Sequence, residues 1–183
     1  MLERLIESLE TCPIVKRGEY NYFIHPITDG VPIVAPELLR DVAASFVKVL
    51  DLDRVDVIVA AEAMGIHIGV ALSLITDIPL TIVRKRPYLL PDEVPVHQST
   101  GYSKGELYLN GVRSGDRVVV IDDVISTGGT MRAVLGALET KGAEIVDVCV
   151  VIRRGEAQVG RPYKYLVAIE VSETGVHVLD TCF

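Results

Sequence analysis

Short runs of apolar residues alternate along this chain with longer stretches in which apolar residues recur every three or four positions. The runs are bounded by charged or small residues, a pattern typical of strands that a parallel sheet buries on both faces. The longer stretches have the spacing of amphipathic helices. We predict strands over residues 55–60, 80–83, 118–121, 143–152, 163–169 and 176–179. We predict one helix that begins at Pro36, a second from Ile66 to about Thr76 and a third from Met131 to Lys141. This alternation predicts an α/β fold with a central, mostly parallel sheet flanked by helices.

The first 35 residues depart from this alternation and are expected to form a small subregion. Apolar residues recur on one face of a predicted helix that ends at Pro13. A strand pair is predicted next, and it gathers two tyrosines and a phenylalanine, among them Tyr22 and Phe23, in a chain that is 5% aromatic. Two interpretations of these rings stay open, because they could stack on a planar ligand or close the core beneath a flap.

Length and composition limit the classes of protein to consider. We expect the 183 residues to form one domain, residues 1–183. The mean hydropathy is +0.36, but no run reaches the ~18 apolar residues of a membrane span. The N-terminal sequence has an acidic amphipathic pattern rather than that of a signal peptide, so we expect a cytoplasmic protein without a membrane partner. The net charge of −7 argues against nucleic acid as a partner.

The stretch from Val118 to Thr130, VVVIDDVISTGGT, carries the strongest chemical signal. A buried strand leads directly into Asp122 and Asp123, at the carboxyl end where open α/β sheets bind their ligands. Short hydroxyl side chains and glycines follow and open the next helix. Glycines let the backbone approach an anion, hydroxyls donate to its oxygens, and a helix start offers unpaired N–H groups. We therefore predict a phosphate cradle made of Ser126, Thr127, Gly128, Gly129 and Thr130.

The two carboxylates beside this cradle make it more informative than a simple glycine turn. They would repel a phosphate, but they can accept hydrogen bonds from the vicinal hydroxyls of a ribose, directly or through a divalent cation that offsets the repulsion. The combination predicts a sugar phosphate as the ligand. The alternative is an ordinary strand and capped helix with the acids in solvent.

Two further strand ends have features of anion sites. The strand over residues 55–60 runs into a small-residue turn, Ala61, Glu62 and Ala63, which opens a helix. The next strand runs into Arg84 and Lys85, whose position favours contact with an anion. A solvated basic loop is the alternative interpretation of these cations.

Residues 89–111 are rich in Pro, Gly, Ser and Tyr and show little periodicity. A loop of this length inside a compact domain is usually functional or disordered. Glycines flank Tyr102, Ser103 and Lys104, an arrangement that suits a mobile lid. Such a lid would keep water away from a reactive sugar.

VVVIDDVISTGGT resembles the phosphoribosyl-pyrophosphate signature of type I phosphoribosyltransferases, in which an apolar strand, two acids and a hydroxyl-glycine turn recur in that order. The resemblance implies that Asp122 and Asp123 hold the ribose 2′ and 3′ hydroxyls and that residues 126–130 grip the 5′-phosphate. AAEAMG resembles the pyrophosphate loop, in which members often hold a non-proline cis peptide. The segment IVRKRPY resembles the one whose basic residues, here Arg84 and Lys85, meet the pyrophosphate.

The resemblance covers nearly the whole chain and is closest to the archaeal type of hypoxanthine/guanine phosphoribosyltransferase, through RGEYNYFIHPITDGVP and GYSKGEL as well. It implies the type I phosphoribosyltransferase fold, with residues 1–35 forming a hood in which Tyr22 or Phe23 stacks on the purine. The implied reaction joins hypoxanthine or guanine to phosphoribosyl pyrophosphate and yields a nucleoside monophosphate, IMP or GMP. The implied cofactor is Mg²⁺, which Asp122 and Asp123 would contact indirectly, together with phosphoribosyl pyrophosphate. Tyr102, Ser103 and Lys104 would touch the substrate from the lid, and a homodimer is implied.

Three positions leave part of the chemistry open. Many 6-oxopurine members carry a proton-handling aspartate where this chain has Ser126, whereas adenine-type members have a small residue there. Adenine-type members also place a glutamate at the position of Gly105, and Glu106 is the candidate substitute. Arg153 and Arg154 follow a predicted strand, and one of them is a candidate donor to a base carbonyl, with Arg153 chosen, although strand-end arginines more often face solvent.

Other functions remain as alternatives. An adenine phosphoribosyltransferase would share the same motifs. A non-catalytic regulator could bind phosphoribosyl pyrophosphate, but it would need a DNA-reading element, for which this N-terminus offers little room. A receiver domain has its paired acids near the start of the domain, unlike this chain. A P-loop hydrolase is excluded because GxxxxGK[ST] does not occur.

Overall fold

The structure, a computed structural model, describes residues 2–18, 20–97 and 106–183. Its strands are β1 (Ile14–Arg17), β2 (Tyr20–Phe23), β3 (Val57–Ala61), β4 (Leu80–Val83), β5 (Val94–His97), β6 (Glu106–Leu109), β7 (Arg117–Ile125), β8 (Glu144–Arg154), β9 (Lys164–Val171) and β10 (Val176–Thr181). Its helices are α1 (Glu3–Glu10), α2 (Pro26–Asp29), α3 (Pro36–Val49), α4 (Gly65–Thr76) and α5 (Gly129–Lys141). None of the described helices has the length and apolar character of a membrane span.

The central sheet has the strand order β10-β9-β8-β7-β3-β4. Neighbouring strands run parallel from β9 to β4, and β10 pairs antiparallel with β9 at one edge. The prediction of a mostly parallel sheet flanked by helices is therefore confirmed. β1 pairs with β2, and β5 pairs with β6, in two separate antiparallel ribbons.

The sheet separates two apolar layers. Val119 and Ile121 of β7 pack into the layer that holds α1, α3 and α4, whereas Val118 and Val120 pack into the layer that holds α5. All four side chains are at most 3% exposed. A strand covered by helices on both faces buries every residue, which is why the sequence of β7 shows an uninterrupted apolar run rather than an alternation.

Helix α4 lies very close to the sheet. A β-carbon on Gly69 would lie 2.8 Å from Leu80 Cδ1 and 3.0 Å from Ala60 Cβ, so a side chain here would have no room. Gly65, one turn earlier, begins the helix. The close packing brings the start of α4 next to the carboxyl ends of β3 and β7.

The segment before α3 is anchored by His25, which is fully buried. Its Nδ1 accepts a hydrogen bond from the backbone N–H of Ile27 at 3.2 Å, and its Nε2 lies 2.9 Å from Ser8 Oγ. The Ser8 hydroxyl donates to the carbonyl oxygen of Leu5, so the hydrogen-bond network assigns the proton of the ring to Nε2. Burial lowers the pKa of His25 to about 4. A neutral imidazole therefore joins α1 to α2.

Two of the differences between the structure and the sequence prediction lie close to the predicted site. β7 continues past Ile121 to Ile125, because β8 pairs with it over this length. Within residues 89–111, predicted as one loop, β5 and β6 form a ribbon, and Tyr108 exchanges backbone hydrogen bonds of 2.7 and 2.9 Å with Arg84. The missed signal was the alternation of Glu and Tyr with leucines in ELYL at 106–109, which the structure shows as alternating exposure and burial. Residues 98–105 of the predicted lid lie outside the described residues.

Candidate functional site

A crevice opens between β3 and β7 at the carboxyl ends of the parallel strands. β3 pairs with β7 as far as Ile121, whereas β8 pairs with β7 through Ile125. Beyond Ile121 the chain of β3 turns away through residues 62–64 into α4. α4 and α5 pack on opposite faces of the sheet, and open α/β sheets bind ligands where successive connections diverge in this way. The topology thus forms a crevice beside Asp122 and Asp123.

Asp122 and Asp123 are partly buried beside the crevice. The backbone N–H of Asp123 donates to Asp122 Oδ1 at 3.0 Å, and a β-carbon on Gly65 would lie 3.1 Å from the same oxygen. Burial raises the pKa of both carboxyls, and the charge of Asp122 raises the pKa of Asp123 further. Lys85 acts against burial and lowers the pKa of Asp122. Because their charged forms are disfavoured, these groups gain from hydroxyl donors or a cation.

The glycine-rich turn after β7 lines a small cavity. Residues 126–130 contribute most of its wall, and its volume is about 70 Å³, which exceeds the ~10–15 Å³ that one water needs. Gly128 has a φ of 75°, and a β-carbon there would lie 2.8 Å from Val159 Cγ1, so both conformation and space require glycine. Gly128 is also the N-cap of α5, and as a glycine it has no side chain to cap the helix. The cavity therefore lies at the positive end of a helix dipole.

Arg132 braces the outer wall of this cavity. Its Nη1 donates to the carbonyl oxygens of Thr127 at 3.0 Å and Gln158 at 2.5 Å. These bonds join the turn to residues 157–159, against which Gly128 packs. Sequence reasoning missed Arg132. The available signal was a cation in the first turn of a helix, where the dipole disfavours positive charge.

The turn after Ala61 forms the opposite wall of the crevice. The peptide bond between Glu62 and Ala63 is cis. Glu62 Oε2 accepts a hydrogen bond from the backbone N–H of Lys85 at 3.0 Å and lies 3.1 Å from Arg84 Nε. The latter contact has the distance of an ion pair without hydrogen-bond alignment, and Arg84 Nε is a buried donor with no acceptor among the described residues. Because buried donors are rarely left unpaired, this guanidinium indicates an acceptor beyond the described residues, such as an oxygen of a bound anion.

The β1–β2 ribbon brings one of the two predicted stacking rings toward the acids. Burial raises the pKa of Tyr22, and the charges of Asp29 and Asp123 raise it further, so its phenol lies within electrostatic range of Asp123. Phe23 is 5% exposed and belongs to the apolar core. Of the two rings, Tyr22 is therefore the one that a ligand could reach.

The two arginines at the end of β8 have different partners. Arg153 Nη1 donates to Glu156 Oε1 at 2.8 Å, and its guanidinium carbon lies 4.3 Å from the centre of the Tyr165 ring. Arg154 instead donates to the carbonyl oxygen of Asn21 in the β1–β2 ribbon. The sequence did not distinguish between these two neighbours.

The predicted lid residues are only partly covered by the structure. Glu106 begins β6, and its Oε2 accepts a hydrogen bond from the Tyr108 hydroxyl. Tyr102, Ser103 and Lys104 lie outside the described residues.

The donor set suits a cation that is shared with a ligand. No group of three or more His, Cys, Asp or Glu side chains in the described ranges could hold a metal ion on its own. Asp122 and Asp123 offer carboxylate oxygens, which Mg²⁺ prefers, and this ion commonly keeps waters and binds substrate phosphates as well. These two residues therefore fit Mg²⁺ held jointly by the protein and a phosphorylated ligand.

Comparison with known proteins gives a consistent result. Residues 33–180 match the model of the phosphoribosyl transferase domain. A protein of Methanosphaerula palustris named hypoxanthine/guanine phosphoribosyltransferase is 68% identical over 180 residues, 98% of each chain. One of the same name from Methanocella arvoryzae is 64% identical over 98% of this chain and 96% of its own. The solved structure of adenine phosphoribosyltransferase from Rhodothermus marinus has a TM-score of 0.67 and 25% identity, over 82% of this chain and 86% of that one.

Proposed function

The chain belongs to the phosphoribosyl transferase domain family, and from this premise we propose that it transfers the phosphoribosyl group of phosphoribosyl pyrophosphate to hypoxanthine and guanine in purine salvage. The products would be pyrophosphate and IMP or GMP. Two relatives named for this activity, at 68% and 64% identity, support the choice of base. The cytoplasmic location expected from the N-terminal sequence stays a prediction.

The observation that carries the proposal is a pair of acids between two anion sites. Asp122 and Asp123 lie beside the cavity of residues 126–130 on one side. On the other side, the positive charge of Lys85 lowers the pKa of Asp122. Phosphoribosyl pyrophosphate has the same arrangement, since a vicinal diol lies between a terminal phosphate and a pyrophosphate. A site for phosphate alone would not be improved by two carboxylates.

In the proposed mechanism, the cradle and the acids fix the sugar. Residues 126–130 hold the 5′-phosphate at the start of α5. Asp122 and Asp123 accept hydrogen bonds from the ribose hydroxyls. Displacement at C1 passes through a state with oxocarbenium character, and the two carboxylates favour the positive charge that develops on the ring.

The opposite wall holds the leaving group. Arg84, whose Nε–H is not aligned for a hydrogen bond to Glu62, donates to a pyrophosphate oxygen, and Lys85 adds positive charge. The turn of Ala61, Glu62 and Ala63 stays the proposed second anion site, with the backbone N–H of Ala63 as its amide donor, because the N–H of Glu62 already donates to the carbonyl oxygen of Val83 at 2.9 Å. Glu62 orders the basic residues before the ligand arrives, because it already accepts from Lys85 N–H.

Mg²⁺, when bound, would offset the negative charge of the pyrophosphate leaving group. Asp122 and Asp123 would hold it indirectly, through the sugar that they bind. The two residues contribute negative charge, and burial raises the free energy of their charged forms. Either hydroxyl donors or a cation would bring the pKa of both carboxyls down again.

The base site is assigned with fewer contacts. Tyr22 stacks on the purine from the ribbon side. Arg153 stays a proposed donor to the base carbonyl, a role that requires it to turn away from Glu156. The predicted contacts of the lid, catalytic for Lys104 and Glu106, are kept as proposals. The group that handles the purine N7 proton is unassigned.

A direct assay tests the proposed activity. The purified protein is mixed with Mg²⁺, phosphoribosyl pyrophosphate and one purine at a time, and nucleotide formation is followed by chromatography. We expect IMP and GMP, with AMP formed at least about 100-fold less efficiently, because a site that hydrogen-bonds a carbonyl rejects an amino group in its place. Ser126, a small residue as in adenine-type enzymes, makes adenine the second candidate. Turnover with adenine alone would reverse the choice of base, and binding without turnover would indicate a regulator.

We also propose that the protein acts as a homodimer with α4 in the interface. α4 has no charged residue, yet Val70, Leu74 and Ile75 are exposed, Leu74 to 78%. Helices that are apolar on all faces are normally buried, and a two-fold interface can cover the same face on both copies.

Leu74→Glu should therefore shift the protein toward monomer in light scattering coupled to size-exclusion chromatography. Leu179→Glu, at another exposed leucine on β10, is the matched control and should leave the assembly intact. If the Leu74→Glu protein has the same molar mass in solution as the wild type, the proposal that α4 lies in the interface is wrong.

A further inference from the structure

The β1–β2 ribbon carries Tyr22, yet most of its anchoring lies at one end. Two-stranded ribbons are at best marginally stable on their own in water. Phe23 packs into the core, and the backbone N–H of Ile24 donates to the carbonyl oxygen of Pro13 at 2.9 Å. Closer to the turn, Lys16 pairs with Glu173 at 2.7 Å, but both side chains are more than half exposed, so this pair contributes little. The turn end of the ribbon needs another anchor.

Arg154 provides that anchor from the end of β8. Its Nη2 donates to the carbonyl oxygen of Asn21 at 3.1 Å, and its Nη1 donates to the hydroxyl oxygen of Tyr20. Its guanidinium carbon also lies 4.1 Å from the centre of the Tyr20 ring. A planar guanidinium can stack on a ring and make directed hydrogen bonds at the same time, which an ammonium group cannot. The contacts fix the first two residues of β2.

Arg154 is the last residue of β8, the strand that pairs with the acid-bearing strand β7. β8 pairs with β7 along the segment that carries the aspartates, with Arg153 opposite Ile125. The rings of Tyr20 and Tyr22 are 6.1 Å apart on the ribbon. Restraining Tyr20 against β8 therefore restrains Tyr22 against the acids.

We propose that Arg154 is a positioning residue for the purine base, because it holds the β1–β2 ribbon so that Tyr22 stays over the base. Arg154 acts through Tyr20 and the backbone of Asn21, and it does not contact the sugar or the phosphates. The inference rests on the proposed function, since it takes the base to lie beneath the ribbon. Arg153, in contrast, would act by direct contact.

Ligands with and without a base separate this role from a general effect on the site. IMP and ribose 5-phosphate share the sugar phosphate, and only IMP carries the purine. For Arg154→Gln we expect calorimetry to show a Kd for IMP raised about tenfold, the loss that corresponds to one charge-assisted hydrogen bond, and a Kd for ribose 5-phosphate within about twofold of the wild type. The KM for hypoxanthine should rise while the KM for phosphoribosyl pyrophosphate stays the same.

A second measurement needs no activity at all. Hydrogen exchange of the backbone amides in the ribbon, residues 14–17 and 20–23, should be faster in ligand-free Arg154→Gln than in the wild type. Arg40→Gln removes an exposed arginine of α3 that lies 3.5 Å from Glu37, and it is the control for loss of a surface cation. Arg154→Lys should recover part of the protection, because it keeps the charge near the Tyr20 ring.

Tyr20→Phe tests the same contact if Arg154→Gln folds poorly. It removes the hydroxyl that Arg154 contacts, so its effect on IMP binding should be smaller and should not add to that of Arg154→Gln. Arg153→Gln should weaken IMP binding without changing ribbon exchange, if its side chain meets the base.

Three outcomes would overturn the inference. Equal losses of IMP and ribose 5-phosphate binding would show a general effect on the site. Unchanged ribbon exchange in Arg154→Gln would show that Arg154 does not hold the ribbon. Faster exchange with normal IMP affinity would show that the ribbon is held without positioning the base. A wild-type protein that binds neither ligand would instead overturn the proposed function, a result that the three variant outcomes do not produce.

Discussion

Two sites with buried or partly buried ionisable side chains, His25 and the pair of Asp122 and Asp123, have opposite surroundings. His25 is fully buried, and both of its ring nitrogens have hydrogen-bond partners in the chain. Asp122 and Asp123 lie side by side at the crevice, where burial and mutual repulsion raise the pKa of Asp123. The histidine is neutral and satisfied, so it stabilises the fold. The charged forms of the acids are disfavoured in the absence of a ligand, and the partners that would favour them are those that a ligand would supply.

The difference shows that burial of an ionisable group does not by itself distinguish a structural role from a functional one. Desolvation is the main cause of the pKa shift at both sites. At His25 it favours the neutral ring, whose two nitrogens already have hydrogen-bond partners in the chain. At the acids it disfavours the charged carboxylates that the proposed site requires. Ionisable side chains with strongly shifted pKa values and no partner for their charged form are typical of functional sites in clefts, whereas a buried group with all its hydrogen bonds formed is typical of a structural role. The comparison predicts that variants at the two places will separate activity from stability.

Asp123→Asn should have the largest effect on activity. Removing one charge that favours the transition state should lower kcat/KM about 10²–10³-fold, as is typical for loss of one such electrostatic group. The measurement is steady-state kinetics with hypoxanthine. Asp53→Asn, at an exposed carboxyl, is the matched control and should retain activity. A normal kcat/KM for Asp123→Asn would contradict the placement of the ribose.

His25→Ala should have the largest effect on stability. It leaves Ser8 and the Ile27 N–H without their buried partner and opens a cavity, so the free energy of unfolding should fall by about 2–4 kcal/mol. Urea denaturation measures this loss. Ser8→Ala removes one of the two bonds and should cost about 1 kcal/mol. An equal cost for both variants would mean that the Ile27 contact contributes nothing.

The pH dependence of unfolding should separate the two groups by sign. The folded pKa of His25, about 4, lies below the value of 6.5 for an unperturbed histidine, so its contribution is complete above pH 6.5 and is lost, by about 3 kcal/mol, as the pH falls toward 4. The folded pKa of Asp123 is raised, so its contribution is present at low pH and is lost as the pH rises above 3.8.

Asp123→Asn should therefore unfold at a higher temperature than the wild type at pH 8, and the difference should shrink toward pH 4. Calorimetric Tm values across this range, in the absence of ligand, measure the effect. A Tm difference that does not change with pH would show that charge on Asp123 does not limit stability.

Arg132→Gln should have the smallest effect and should act on one substrate. Loss of the bonds to the carbonyl oxygens of Thr127 and Gln158 should loosen the cradle and raise the KM for phosphoribosyl pyrophosphate by about fivefold, or about 1 kcal/mol. The KM for hypoxanthine should stay the same. Equal changes in both KM values would mean that Arg132 supports the whole crevice rather than the cradle.

Much of the site could be predicted because its parts are local in sequence. The acids and the cradle lie within one stretch of nine residues, 122–130, whose chemistry follows from its order. The run from Val118 to Ile121 also identified a doubly covered strand. The β5–β6 ribbon was missed, because its short strands are separated by a segment that contains polar residues and glycines.

Other assignments needed contacts that join distant segments. Tyr22 and Phe23 are adjacent in sequence, and only the packing of the ribbon against the core separates a reachable ring from a buried one. Arg153 and Arg154 likewise diverge because successive residues of a strand point to opposite faces of the sheet. Arg132 and Gln158 meet although 26 residues separate them.

The sequence by itself determined the fold class, the family resemblance and the order of acids and glycines, because periodicity and backbone conformation are set by neighbouring residues. The tertiary structure decided how Arg84 is paired with Glu62, which tyrosine can reach the crevice and which arginine holds the ribbon. These properties depend on burial and on distances between segments far apart in the chain, and no local pattern encodes them.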